Sequence, residues 1–257
     1  MPKLKYFILS IDYVFFDTIY GTLGGQSMLN GDNLADFFEE KGYHILHHVN
    51  TVATALTFLR NGGLLSREYV ANHPASCFQT LQKSDAKDKE LGIFNDIFFD
   101  IMNIWQFKEV CFYGPVVFEY NIDVLRGKNN IRITKTNPQN WDEEDYYNSI
   151  DEIYSAYNSG YSWPLNRHII FHDQQKIDFS KINKIIFYRP DSEEDLSIIP
   201  HCNRPDHAFA DLRRECDQCG IPHSILYFSK NSWQNIISHG NTVGRFYGFR
   251  MKVPTSR

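Results

Sequence analysis

The chain has 257 residues, 42% of them hydrophobic and 22% charged, with 15 Gly and 10 Pro, which excludes collagen-like, low-complexity and largely disordered chains. Lys and Arg total 26 against 31 Asp and Glu, a formal net charge of −5, so any contact with nucleic acid needs a local basic patch rather than bulk charge. Five Cys, an odd and low count, argue against a secreted disulfide scaffold, and no run approaches the roughly 18–20 apolar residues of a membrane helix.

Taken in chain order, residues 6–20 read as a buried strand. Asp12 interrupts the apolar run and no small-residue cleavage site follows, so this start is not read as a signal peptide. The expectation is a cytoplasmic protein with no membrane contact. The Gly cluster at 21–25 lacks the Lys-Ser/Thr of a phosphate loop. Asp32-Asn33 caps a short amphipathic helix over 34–41, stopped by Gly42. A strand follows at 43–48, then Asn50-Thr51 caps a helix over 52–60 that stops at Asn61-Gly62-Gly63. Residues 64–68 read as an exposed connection and 82–90 as a charged loop. Residues 96–100 read as a strand with Asp at each end, and 113–120, dense in β-branched and aromatic residues, is a clear strand. A helical stretch is expected over 150–157, strands at 168–171 and 182–188, a helix at 207–219 and a strand at 224–228. Strands dominate and the order is mixed rather than alternating, which predicts an α+β fold. A main domain is expected over 1–196, with a C-terminal helix–strand extension over 197–257 packed on it.

Four constellations carry possible chemistry. His44, His47 and His48 precede Asn50 and Thr51 where a strand enters a helix. Polar groups there stand at a pocket mouth, where a ring nitrogen donates to a ribose hydroxyl and helix-start amides bind phosphate. His47 and His48 point to opposite faces, so only one can face such a pocket. The alternative is a histidine satisfied by backbone. Asp96 and Asp100 share a face whether the segment is strand or helix, a pattern that could hold a divalent metal in a nuclease. Cys216 and Cys219 lie three apart near the end of a helix and are read as buried packing rather than as zinc ligands. Basic residues Arg126, Lys128, Arg132 and Lys135, with Lys181, Lys184 and Arg189, offer phosphate contacts or simply solvated sheet edges. Tyr146, Tyr147, Tyr154, Tyr157, Tyr161 and Trp163 between them offer stacking surface.

The run His48-Val49-Asn50-Thr51-Val52, followed by Leu56 and Gly62-Gly63-Leu64-Leu65-Ser66, resembles the opening motif of DarT-like ADP-ribosyltransferases. The resemblance implies a mixed, mainly antiparallel β-sheet with short flanking helices that cradles NAD and transfers ADP-ribose to a DNA or RNA base. It implies that His48 holds the nicotinamide-side ribose, with Asn50, Thr51 and Ser66 around the same cofactor. Arg67 is then the residue that positions NAD or the acceptor. Toxins of this kind imply a neutralising antitoxin protein.

In this family a late strand carries a Glu that stabilises the ribosyl cation or deprotonates the acceptor. The matching strand here is 167–171, and its Glu position is filled by His168. A histidine cannot supply the same negative charge to the transition state. Either Glu119 or Glu152 does this work, or the domain is inactive, or the chemistry differs. The catalytic candidates are therefore Arg67, Glu119 and His168. The rival readings are a metal-dependent nuclease using Asp96 and Asp100, and a non-catalytic interaction module that kept the fold.

Overall fold

The computed structural model describes residues 29–74, 76–77, 85–103, 105, 114–136, 145–159, 167–190 and 205–228. The strand expected over 6–20 and the Gly cluster at 21–25 lie outside them. Helix α1 is Gly31–Glu40, capped by Asn30, whose Oδ1 accepts from the backbone N–H groups of Asp32 and Asn33 at 2.9 and 3.1 Å. The cap thus falls two residues earlier than Asp32-Asn33. Strand β1 is Ile45–Asn50, and α2 is Val52–Arg60, capped by Thr51. Gly62, at φ 67, turns the chain into β2, Gly63–Leu65. Helix α3, Arg67–Asn72, is capped by Ser66.

Two expectations fail here. Residues 64–68 are not an exposed connection, because Leu64, Leu65 and Ser66 are buried. The charged segment is not all loop, because Asp85–Glu90 forms helix α4 with acidic residues first and lysines last, matching the helix dipole.

The remaining elements are β3 Ile97–Asp100, β4 Val116–Asn121, β5 Ile131–Ile133, α5 Ile150–Ser159, β6 His168–Phe171, β7 Lys176–Asp178, β8 Ile182–Pro190, α6 Pro205–Cys219 and β9 His223–Phe228. Seven strands form one sheet in the order β5-β6-β3-β1-β4-β8-β9, and β2 pairs with β7 apart from it. All pairs are antiparallel except β8 with β9. Parallel neighbours need a crossover, and α6 lies between these two in sequence. The fold is therefore α+β, with a mainly antiparallel sheet and short flanking helices.

Alternation assigns the two faces. Leu46, Phe99, Phe118, Tyr120, Ile169, Phe171, Ile185 and Phe187 point to one side, where they join Leu34, Phe37 and Phe38 of α1, Phe58 and Leu59 of α2, and Phe209 and Leu212 of α6 in the main core. Each such side chain contributes on the order of 1.5–3 kcal/mol on burial. The opposite face carries two smaller apolar clusters, Val49–Trp105–Val117–Ile186–Tyr188 and Tyr146–Ile170. Among the described residues no helix is long and apolar enough to cross a membrane.

Gly114, just before β4, has φ 125, and a Cβ there would run into the Asn50 carbonyl and the Thr51 backbone. Gly114→Ala is expected to destabilise the fold by roughly 1–3 kcal/mol, the scale of one strained backbone position, read as a lower urea midpoint with an unchanged slope.

Candidate active site

The register of the central strands builds a row of polar side chains on the face away from the main core. Asp100 on β3 lies opposite His168 on β6 and opposite His47 on β1. His47 lies opposite Glu119 on β4, and Glu119 opposite Lys184 on β8. Directly opposed residues share a face, so five adjacent strands contribute one side chain each.

The contacts run along the row. His168 Nδ1 lies 2.9 Å from Asp100 Oδ1. His47 Nε2 lies 3.7 Å from Glu119 Oε1, and Lys184 Nζ lies 3.5 Å from Glu119 Oε2. Asn183 Nδ2 donates to the same Oε2 at 3.3 Å. Side-chain exposures are 15% for His168, 23% for Asp100, 11% for His47, 12% for Glu119 and 40% for Lys184, so the row is recessed, buried at His47 and Glu119 in its middle and exposed at its Lys184 end.

Two residues further along the same strands, Ile170, Phe98, Val49, Val117 and Ile186 form an apolar row beside the polar one. That border lowers the local dielectric and strengthens each polar contact. Burial pushes the His47 pKa below its ordinary value, more than Glu119 and Asp100 raise it, so His47 is neutral at pH 7. The His168 backbone is fixed by Thr134, whose Oγ1 accepts from the His168 N–H at 2.9 Å and whose own N–H donates to the His168 carbonyl at 3.0 Å.

The motif residues on β1 and after it are placed differently. His48 and Asn50 point to the helix-covered face, away from Glu119 and His168. The Phe98 carbonyl lies 2.6 Å from His48 Nδ1 and can only accept, so Nδ1 carries the proton. Nε2 then accepts from Asn50 Nδ2 at 2.8 Å. The ring packs among Phe58, Phe99 and Phe118, and burial holds its pKa below the ordinary value. Asn50 Oδ1 is buried and accepts no hydrogen bond among the described residues.

Thr51 and Ser66 are both buried N-caps: Thr51 Oγ1 accepts from the Thr54 N–H at 3.3 Å, and Ser66 Oγ from the Tyr69 N–H at 3.1 Å. The Arg67 guanidinium pairs with Asp85 at 2.6 Å. The structure therefore brings Glu119 and His168 into one row and sets His48 with Asn50 behind it.

A second polar chain ties the motif to β3 and β6. Ser66 Oγ donates to Asn95 Oδ1 at 2.7 Å, and Asn95 Nδ2 donates to Asp173 Oδ1 at 2.5 Å. The Asp173 N–H donates to Asp96 Oδ1 at 2.8 Å, and His172 Nδ1 approaches both Asp96 oxygens at 3.1 and 3.2 Å. Asp173 has φ 49, the left-handed region that its short polar side chain tolerates. Asp96 is buried, and that burial raises its pKa.

Asp96 and Asp100 do share a face, but each pairs with its own histidine, Asp100 with His168 on β6 and Asp96 with His172 just after it. Among the described residues no group of three or more His, Cys, Asp or Glu is arranged to hold a metal ion. Of the two cysteines expected to be buried packing, Cys216 packs into the main core, where burial pushes its thiol up to about 12, whereas Cys219 is exposed. Two of the basic residues are paired with carboxylates on neighbouring elements: Arg126 with Asp36, Glu39 and Asp123, and Lys135 with Glu152. Tyr154 and Tyr157 pack on Phe37 of α1 rather than offering free rings. Tyr161 and Trp163 lie outside the described residues.

His47, Asp100 and Lys184 are the row members that sequence reasoning placed in three separate constellations, a histidine cluster, a carboxylate pair and a basic run, and not with Glu119 and His168. The signal available for them was alternation: β1 and β3 each carry an ionisable residue at the parity opposite to their core residues.

No family model matches this sequence, and no curated protein matches it. Among solved structures the chain is similar to Thermus sp. 2.9 DarT in complex with ADP-ribosylated ssDNA, at 9% identity and TM-score 0.44, over 75% of this chain and 96% of that one. It is similar to Thermus sp. 2.9 DarT in complex with NAD+ at 9% identity and TM-score 0.41, over 74% of this chain and 98% of that one. This is a weak likeness to the DarT-type fold.

Thr51→Ala and Ser66→Ala are each expected to cost about 1 kcal/mol of stability through loss of a helix cap, measured by chemical denaturation. His47 and His48 both have native pKa values below their unfolded values. Their stabilisation is complete above about pH 6.5, the ordinary imidazole value, and is lost as pH falls from there towards the native values, because only the unfolded chain takes up the protons. A denaturation series from pH 8 to pH 5 is expected to show falling stability, with a shallower fall in His47→Gln.

Proposed function

We propose that the protein is an NAD-dependent ADP-ribosyltransferase acting on nucleic acid, as a toxin or defence effector, with its chemistry at the polar row. The observation that carries this reading is that Glu119 and His168, 49 positions apart, stand in one recessed row with Asp100, His47 and Lys184 on the face away from the main core. NAD is the donor substrate. Cleavage of its ribose–nicotinamide bond develops positive charge on the ribose, so the site must present negative charge there.

The row holds two carboxylates and one ammonium, with His47 neutral. That balance favours a developing cation. Glu119, in contact with Lys184 and Asn183, is the carboxylate that meets the ribosyl charge. His168, oriented by Asp100, takes the proton of the acceptor base. Lys184, at the exposed end of the row, is the cation for the NAD pyrophosphate. The nuclease reading needs Asp96 and Asp100 on one cation, whereas each is paired with a different histidine, Asp96 with His172 and Asp100 with His168.

His48, Asn50, Thr51 and Ser66 support this site from behind: His48 and Asn50 fix the end of β1, and the two caps fix α2 and α3. Arg67, held by Asp85, braces α3 against α4. A neutralising protein partner belongs with this reading.

The test is calorimetric titration with NAD, followed by incubation with single-stranded DNA and RNA and mass spectrometry. Wild type is expected to bind NAD and add ADP-ribose to nucleic acid, and Glu119→Gln to retain binding while losing at least 100-fold of transfer, about the cost of one preorganised transition-state contact. Absence of NAD binding by a folded sample would falsify the transferase. Retained transfer in Glu119→Gln, with transfer lost in a folded His48→Ala, would move the site to the helix-covered face.

A further inference from the structure

We infer that the outer edge of β9 is a docking surface for a second copy of this chain, which adds its own β9 antiparallel across a twofold axis. The two edges of the large sheet differ. At β5 the edge is covered: the Leu29 N–H donates to the Ile131 carbonyl at 2.8 Å, and the Tyr147 N–H to the Ile133 carbonyl at 3.0 Å. At β9, the other end of the strand order, no described residue pairs with the outer side.

The register says which groups are offered there. β9 runs parallel to β8, from His223 beside Ile185 to Phe228 beside Pro190, without a bulge. The Ile185 N–H donates to the Pro222 carbonyl at 2.9 Å, so in a parallel ladder Ser224 and Leu226 turn their N–H and C=O toward β8. Those of His223, Ile225 and Tyr227 point away from the sheet. Folds protect such a row with lysine, proline, a bulge or a very short strand. β9 uses none of these: its six residues, His-Ser-Ile-Leu-Tyr-Phe, include no lysine, arginine, carboxylate or proline.

Symmetry and charge select the occupant. A twofold axis perpendicular to the sheet puts one residue opposite itself and keeps both faces of the sheet continuous. Centred on Ile225, it sets His223 opposite the second copy's Tyr227 and Ser224 opposite the second copy's Leu226. The outward N–H and C=O groups of 223, 225 and 227 then meet their counterparts. Directly opposed residues share a face, so Tyr227, 49% exposed, is covered by the second copy's His223. The chain has a net charge of −5, yet this strand brings no formal charge against its copy. A charged peptide or a nucleic acid finds no counter-charge on it. Beside it, α6 has Asp217 3.8 Å from His223 and exposes Arg213 and Arg214 on the same helix, so the flank is of mixed sign. A single strand pair buries less than a standard interface, which makes the dimer weak and concentration-dependent.

The experiment is sedimentation velocity of the full chain over a rising micromolar series, with amide hydrogen exchange read by NMR at both ends of it. Monomer is expected to pass to dimer. Exchange at His223, Ile225 and Tyr227 is expected to slow with concentration, while Ser224 and Leu226, bonded to β8, stay slow throughout. Tyr227→Pro removes one outward N–H and no bond to β8. It is expected to weaken dimerisation roughly tenfold or more, the scale of two hydrogen bonds lost across the twofold. Tyr227→Lys keeps the backbone, adds an edge charge, and serves if the proline variant does not fold. A chain that is monomeric at every concentration overturns the inference, whether the three amides exchange fast at a bare edge or slowly under another part of the chain. A dimer unchanged in a folded Tyr227 variant overturns it as well, because another surface then joins the copies. Either failure leaves the transferase reading untouched, since no step of it uses β9.

Discussion

The register of β1 between β3 and β4 is the constraint on which the rest of this molecule depends. Leu46 and His48 go inward to Phe99, Phe118 and α2, so His47 must go outward, opposite Asp100 on one side and Glu119 on the other. A slip of one residue would put Leu46 or His48 in that place and His47 among the phenylalanines. The burial of Leu46 and its aromatic neighbours holds the register, and the polar row is its consequence on the other face.

A row of ionisable groups in mid-sheet is not a stability device. Partial burial costs each carboxylate and imidazole hydration, and the His47–Glu119 contact at 3.7 Å is too long to return much of it as a hydrogen bond. The apolar row of Phe98, Val49 and Val117 beside it increases that cost and, by the same low dielectric, the strength of any interaction with a substrate charge. Places where a fold gives up local consistency in this way are those where function is to be sought.

The polar chain through Ser66, Asn95, Asp173, Asp96 and His172 has the opposite character. It joins the cap of α3 to the starts of β3 and of the β6–β7 turn, so the small β2–β7 sheet is tied to the large one at a fixed point. Asp96 is spent on this, which separates it chemically from Asp100 although the two share a face. Burial and a local N–H donor make Asp96 structural, whereas partial exposure leaves Asp100 able to act on His168.

The elements themselves were legible in local chemistry. Thr51 before an apolar run, Gly62 after it, the β-branched and aromatic run ending in Tyr120, and Cys216 and Cys219 three apart on a helix all carry their own short-range explanation. So does the α+β class, from the order of strands and helices. What no local pattern contained was which strands are neighbours. Residues 47, 100, 119, 168 and 184 share a row only because β6-β3-β1-β4-β8 is the spatial order, and strand order is set by which hydrophobic faces pack together across long sequence separations. For the same reason sequence periodicity could say that His47 and His48 face opposite ways but not which of them faces the helices. That choice was made by Phe58, Phe99 and Phe118 packing beside His48, partners 10 to 70 residues away, and His47 on the other face is itself buried, 9% exposed.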